Sequence, residues 1–250
     1  MCGRFALTAT PEEVEAIYAL LELAAFPPRY NIAPTQPVLT VVAAPPRGPG
    51  SNLPDRRALL ARWGLIPGWA KNPNDLPLLF NARSETAAEK AAFRAAMRHR
   101  RALIPASGFY EWRRENGRTG QAYWVRPKAG GAIAFAGLME TWLEPGGSEI
   151  DTAAILTTAA SRDLAGIHDR MPVVIAPADF SRWLDCVNNE PRDVAGLMRP
   201  AEPGFFEAIP VSSAVNKVAN VGPELQERIE LPAEADAAPA AGEPKQMSLF

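Results

Sequence analysis

The chain opens Met1-Cys2-Gly3-Arg4-Phe5. Cytosolic processing commonly removes an initiator Met when residue 2 is small, and Cys2 would then carry a free α-amine and a thiol on adjacent carbons. The reference pKa values are ~7.7–8.0 for an α-amine and ~8.5 for a thiol, so both supply some free nucleophile near neutral pH. The amine can condense with an aldehyde to an imine, and the thiol can close on the imine carbon to a five-membered thiazolidine. An incidental thiol at a frayed terminus is the competing reading, and position 2 alone does not separate the two.

Three further polar segments stand beside strand and turn signals: Asn81-Ala82-Arg83, Tyr110-Glu111-Trp112 and His168-Asp169-Arg170. Glu111 is flanked by aromatics in an otherwise apolar strand. Such surroundings disfavour a charge and raise a carboxyl pKa, as a general acid needs. A solvent-facing strand residue is the alternative. His168 has the side chain that titrates near pH 7, or it is a hydrogen-bonded structural histidine. Asn81 offers donor and acceptor and suits an amine or an oxyanion. Arg83 and Arg170 present planar forks that suit phosphate. Taken singly, none of these signals is specific.

The elements that must position them are legible in outline. Thr10-Pro11-Glu12-Glu13 reads as a helix start, and Val14, Ile17, Tyr18 and Leu21 follow at helical spacing. Tyr30–Thr35 reads as an irregular loop before a strand over Val38–Ala43. Ala58–Trp63 is strand-like, and a helix runs to about Arg98 with Phe93 and Met97 on one face. Short apolar or aromatic runs at Arg101–Pro105, Gly108–Trp112, Ala122–Arg126, Ala132–Leu138, Asp151–Thr158, Met171–Ile175 and Phe206–Val211 predict strands. Pro177–Cys186 predicts a helix carrying Phe180, Trp183 and Leu184. No repeat of 20–50 residues occurs. The pattern predicts one α+β domain with much antiparallel sheet, closed or partly closed.

Composition narrows the function classes. An apolar content of 47% and a charged content of 22% over 250 residues are ordinary for a globular protein. No run of 18 apolar residues suggests a membrane span, and no apolar leader precedes the domain, so a cytoplasmic protein is expected. Two cysteines, Cys2 and Cys186, argue against a disulfide scaffold, and the two histidines lack metal-ligand spacing, so neither a metal nor a cofactor is expected. The net charge is −2, and it resides in residues 231–250, which leaves the rest balanced. Arg94, Arg98, Arg100, Arg101, Arg113, Arg114 and Arg118 fall in one span, either as a basic face or as scattered solvated residues.

The specific signal is the set of motifs read together and in order. Met-Cys-Gly-Arg-Phe, Tyr-Asn-Ile-Ala-Pro-Thr, Arg-Trp-Gly-Leu-Ile-Pro-Gly-Trp, Asn-Ala-Arg-Ser-Glu-Thr, Ile-Pro-Ala-Ser-Gly-Phe-Tyr-Glu-Trp and Ile-His-Asp-Arg-Met-Pro succeed one another between residues 1 and 172. Over roughly residues 2–228 the chain resembles the SOS-response-associated peptidase (SRAP) family, the abasic-site processing proteins. The resemblance implies a mostly antiparallel mixed sheet rolled into a pseudo-barrel, with flanking helices and a groove for single-stranded DNA. It implies that Met1 is removed by a thiol autopeptidase activity and that Cys2 cross-links to the ring-opened aldehyde of an abasic site as a thiazolidine. Carried over by motif, Asn81 holds the Cys2 amine, Glu111 moves protons, and His168 assists ring opening and reversal. Arg4, Arg83 and Arg170 bind backbone phosphates, and Trp69 with Asn31 and Pro34 shapes a base-stacking surface. The partner implied is single-stranded DNA containing abasic sites, met at the nucleoid by a monomer. A rival reading is an N-terminal-nucleophile thiol peptidase acting on peptides, and a third is a noncovalent reader of modified bases.

Beyond residues 2–230 the composition changes. Residues 231–245 are rich in Ala, Pro and Glu and read as a disordered linker. The chain ends Gln246-Met247-Ser248-Leu249-Phe250, which resembles the peptide that binds the bacterial sliding clamp, with Met in place of Leu. Gln246, Leu249 and Phe250 would be its contact residues.

Overall fold

The computed structural model describes residues 2–48, 51–115, 118–144 and 146–231. In chain order the strands are β1 (Phe5–Leu7), β2 (Arg29–Ile32), β3 (Pro37–Ala43), β4 (Arg56–Trp63), β5 (Asn81–Arg83), β6 (Arg101–Ala106), β7 (Gly108–Glu115), β8 (Arg118–Pro127), β9 (Ile133–Leu143), β10 (Glu149–Ala159), β11 (Arg170–Pro172), β12 (Val174–Ile175) and β13 (Phe206–Val211). The α-helices are α1 (Pro11–Tyr18), α2 (Arg94–His99) and α3 (Phe180–Leu184). Strands β10, β4, β3, β6 and β9 follow one another, and β9 pairs back onto β10, closing a mixed barrel. A second, antiparallel sheet runs β13-β8-β7-β1-β2. The α+β class and the rolled sheet expected from the sequence are what the chain adopts.

Aromatic side chains join the two layers. Phe5 of β1 meets the ring of Trp63 edge-on at 5.1 Å and that of Phe135 at 5.9 Å, both on barrel strands. Phe109 of β7 repeats this against Phe135 and passes the chain of contacts on to Phe206 at 5.5 Å. Each such pair adds about 0.5–1.5 kcal/mol beyond its buried area. Phe5 thereby pins the first strand between sheet and barrel, three residues after Cys2. Strand β7 starts at Gly108, where a Cβ would stand 2.3 Å from the Val125 carbonyl oxygen and 2.6 Å from the Trp124 ring, so only glycine fits.

Strand β10 organises the other half of the site. Along one edge it pairs first with β4 and then, in parallel, with β5, matching Asn81 to Ile155 and Arg83 to Thr157. Along the other edge it pairs with β9 only as far as Ile155–Gly137. Past that point β9 and β10 diverge, and residues 170–175 fill the wedge. Arg170–Pro172 bonds to β10 and Val174–Ile175 to β9. The single strand expected over Met171–Ile175 is therefore two short strands, because its halves serve different neighbours.

Other expectations are corrected. The expected loop at Tyr30–Thr35 contains part of β2, which pairs with β1. Helix α1 has the expected capping box, with Thr10 and Glu13 each bonding the other's backbone. It stops at Ala19, whose φ of 50° is left-handed, so Leu21 lies beyond the helix and is exposed. Only Arg94–His99 of the helix expected before Arg98 is α-helical, with turns ahead of it.

Candidate active site around Cys2

Cys2 is fully buried, not frayed. Its carbonyl accepts a 2.8 Å hydrogen bond from Asn81 Nδ2, while Asn81 Oδ1 is buried and has no hydrogen-bond partner among the described residues. That bond joins the start of the chain to β5. The amide thus spends its donor on the Cys2 main chain and keeps an acceptor in reserve beside it. Burial pushes the Cys2 thiol well above its ordinary range, and the Glu111 charge adds to the effect. The thiol is therefore held protonated and needs a base to become a nucleophile.

Glu111 is a carboxyl whose charge reaches that thiol. It is 2% exposed, so the solvent-facing alternative falls away. The Tyr110 N–H donates to the Arg4 carbonyl, which sets this part of β7 alongside the residues that follow Cys2. Alternation along β7 gives Glu111 the same face as Phe109, whose ring meets the barrel aromatics. Burial raises its carboxyl to about 7, partly offset by the positive amino terminus, and the Asp169 carboxylate raises it further. The influence of Asp169 brings the His168–Arg170 segment within electrostatic reach of Glu111.

His168 Nδ1 accepts the Arg170 backbone N–H at 2.9 Å and lies 3.0 Å from Asp169 Oδ1. The two contacts exclude each other. A neutral ring accepts from the amide, whereas a protonated ring would donate to Asp169. Arg170 clamps both oxygens of Glu85, at 2.7 and 2.9 Å, and also donates to the Thr157 carbonyl. Arg83 is exposed on β5, matched in register to Thr157. Trp69 is 60% exposed, with its indole N–H on the Ala91 carbonyl, and Pro34 is half-buried in the turn after β2.

Two of the residues assigned to DNA by the resemblance have polar groups engaged within the protein. Asn31 is buried, and its Nδ2 donates to the carbonyls of Val215, Lys217 and Asn220. The Arg4 guanidinium is spent on Asn31 Oδ1, the Val215 carbonyl at 2.7 Å and the Asn216 carbonyl. Together they tie the first two strands of the second sheet to residues 215–220. Three members of the arginine-rich span are engaged within the protein. Arg101 is buried with its guanidinium on the carbonyls of Met97, Trp183, Asp185 and Asn189, while Arg98 pairs with Glu190 and Arg100 with Glu140. Glu85 was not singled out in the sequence, although it stands two residues after Arg83 in the Asn-Ala-Arg-Ser-Glu-Thr motif. Among the described residues no group of three or more His, Cys, Asp and Glu could hold a metal ion, and no helix is long and apolar enough to cross a membrane. Gln246, Leu249 and Phe250, with all but the first residue of the linker, lie outside the described residues.

Comparison with known proteins adds the following. The family model described as SOS response associated peptidase (SRAP) matches residues 1–218. The chain is 37% identical over 230 residues to the abasic site processing protein YoqW of Bacillus subtilis, covering 91% of this chain and 99% of that one. It is 35% identical over 236 residues to the abasic site processing protein YedK of Escherichia coli, covering 90% and 98% respectively. A crystal structure of a Bacteroides thetaiotaomicron protein superposes with a TM-score of 0.78 over 92% of this chain and all of that one. At 21% identity that likeness speaks for the fold alone.

Proposed function

The chain belongs to the SOS response associated peptidase (SRAP) family, and from that membership we propose that it processes abasic sites in single-stranded DNA by covalent capture through Cys2. The observation that carries this reading is the Asn81–Cys2 hydrogen bond, because it fixes the residue that would bear both nucleophiles beside a buried carboxyl group. Once Met1 is removed, the Cys2 nitrogen attacks the C1 aldehyde of the ring-opened sugar. Water leaves and an imine forms. Sγ then adds to the imine carbon, and the thiol proton ends on the ring nitrogen. The net loss is one water, with no change in oxidation state. Ring closure is what makes the adduct last, since the imine alone hydrolyses.

Glu111, titrating near 7, serves both directions of proton transfer. Protonated, it assists opening of the cyclic hemiacetal and departure of water. Ionised, it takes the proton from the amine or from the buried thiol. Asn81 Oδ1, buried and without a hydrogen-bond partner among the described residues, would accept an N–H of the new amine. His168 supplies a second proton relay for ring opening and reversal. Arg83 and Arg170 hold phosphates, and Trp69 offers a stacking face for a base. Arg4 and Asn31 act one step back, by holding residues 215–220. Removal of Met1 is assigned to the same Cys2 thiol, with Glu111 as its base.

The test uses Met1-free protein, confirmed by mass, incubated with abasic and intact single-stranded oligonucleotides. The expected result is a heat-stable band with abasic DNA only, of mass equal to protein plus oligonucleotide less one water. Cys2→Ala is expected to abolish it, and Cys2→Ser to leave only an imine that must be trapped by reduction. Protein that retains Met1 should bind DNA without cross-linking. An undiminished adduct from Cys2→Ala, or full-rate cross-linking with Met1 in place, would overturn the mechanism. A transient acyl-enzyme on peptides without a DNA adduct would favour the peptidase instead.

A further inference from the structure

One of the two arginines assigned to phosphate already holds a carboxylate. Glu85 is gripped through both oxygens by Arg170, at 2.7 and 2.9 Å, the two-pronged geometry in which a guanidinium also holds a phosphate. Its carboxyl is held below its usual range, first by the Arg170 hydrogen bond, with the Arg83 charge contributing. The Arg170 side chain is largely buried, whereas Glu85 is half-exposed. The guanidinium is anchored from behind on the Thr157 carbonyl, and its backbone N–H is given to His168 Nδ1. The cation is therefore fixed, and the anion is the member that can leave. Arg170 has neither fork nor charge to spare for DNA while Glu85 remains in place.

We propose that Glu85 is the internal counter-anion of the phosphate site, occupying the Arg170 fork until a DNA phosphate displaces it. The proposal rests on the single-stranded DNA reading above and assigns a positioning role that the mechanism does not use. It has a quantitative consequence. Affinity for single-stranded DNA falls with salt with a slope of about −0.7 per phosphate neutralised, because each contact releases condensed counterions. An arginine that exchanges one anion for another adds no net charge to the complex, so Arg170 contributes nothing to the slope of the native protein. Glu85→Gln, which is nearly isosteric, would restore that contribution and steepen the slope by about 0.7. A contact that deters weak binders in this way would favour DNA held firmly at the lesion over casual backbone encounters.

A double-substitution cycle decides the point. Binding of an intact single-stranded oligonucleotide is titrated at several salt concentrations for the native chain, Glu85→Gln, Arg170→Gln and the pair, with folding checked by thermal melts. Glu85→Gln is expected to bind several-fold tighter at low salt with the steeper slope, and the gain is expected to vanish when Arg170 is Gln. Glu85→Asp keeps the charge but shortens the reach, so an intermediate gain is expected, and it serves if the glutamine variant melts early. An equal gain in the Arg170→Gln background would mean general repulsion and would overturn the proposal, as would no gain at all. If the native protein fails to bind single-stranded DNA at any salt, the functional reading itself fails instead.

Discussion

Glu111 is the residue whose environment says most about its work. Its carboxyl stands at about 7 instead of the usual 4.5, with burial as the main cause. The sign for stability follows from which state holds the proton. Below 4.5 both folded and unfolded chains are protonated at this position. Between 4.5 and about 7 the folded chain keeps a proton that the unfolded chain has lost, so stability falls as pH rises through that window. The interval corresponds to roughly 3 kcal/mol. Glu111→Gln should flatten this dependence, gaining on the native protein by up to about that amount at pH 8 relative to pH 4.5, as read from denaturant melts. The same variant should cross-link abasic DNA at least about 100-fold more slowly, the usual scale for loss of a proton-transfer group. A variant with native pH dependence would show that the carboxyl is not held at this value. The aromatic neighbours of Glu111 made its raised pKa legible in the sequence. The Asn81–Cys2 bond was not derivable from local pattern, since it spans 79 residues of chain, and only the motif resemblance linked the two positions.

At the scale of elements, the second sheet explains why two polar residues of the motifs have their hydrogen-bonding groups engaged within the protein. Arg4 on the approach to β1 and Asn31 on β2 face the same carbonyl cluster at residues 215–217. A polar side chain read from sequence carries no sign of whether its hydrogen-bonding groups are already spent on distant backbone. The same blindness hid Arg101, which counted as a surface cation in the arginine-rich span and is buried against four carbonyls. Element ends suffered likewise: α1 began at its legible capping box, but nothing in the spacing of Leu21 announced the left-handed turn at Ala19. Asn31→Ala removes two buried amide donors, although the Val215 and Lys217 carbonyls keep Arg4 and the Asn220 N–H, and should cost about 1–3 kcal/mol of stability. Arg4→Ala should cost a similar amount. Neither is expected to change the salt slope of DNA binding in protein that remains folded. Arg83→Ala should do the reverse, leaving the melt unchanged and lowering the slope by about 0.7. Salt titrations beside thermal melts separate the two groups, and a reduced slope in Arg4→Ala would return that residue to the phosphate contacts.

At the scale of the whole molecule, from about residue 231 onward the composition shifts to Ala, Pro and Glu, ahead of a terminal peptide unlike it. Most of the longer strands were legible as short apolar runs between turn residues, whereas the short β1, β2 and β5, which position the site, were not. Barrel closure was less legible, because it depends on β9 meeting β10 while residues 170–175 fill the gap between them. The terminus invites a prediction of its own. If residues 231–245 act as the flexible linker their composition suggests, they span about 20 Å r.m.s.. A terminal anchor on such a tether would let the domain search nearby DNA while the peptide stays bound. Gln246-Met247-Ser248-Leu249-Phe250 would be that anchor, on the bacterial sliding clamp. Met is an acceptable volume match for Leu in an apolar slot. Leu249 and Phe250 would fill the pocket, and Gln246 would make the polar contact at its rim. Tethering raises local concentration without adding a contact at the lesion, so its effect belongs to cells and not to a tube with one oligonucleotide. Deletion of residues 246–250 should therefore leave cross-linking to oligonucleotides unchanged while abolishing binding to purified clamp. Leu249→Ala with Phe250→Ala should weaken that binding by at least about thirtyfold, since a buried anchor is typically worth 2 kcal/mol or more. A peptide of residues 240–250 that shows no saturable binding up to high micromolar clamp would mark the match as accidental.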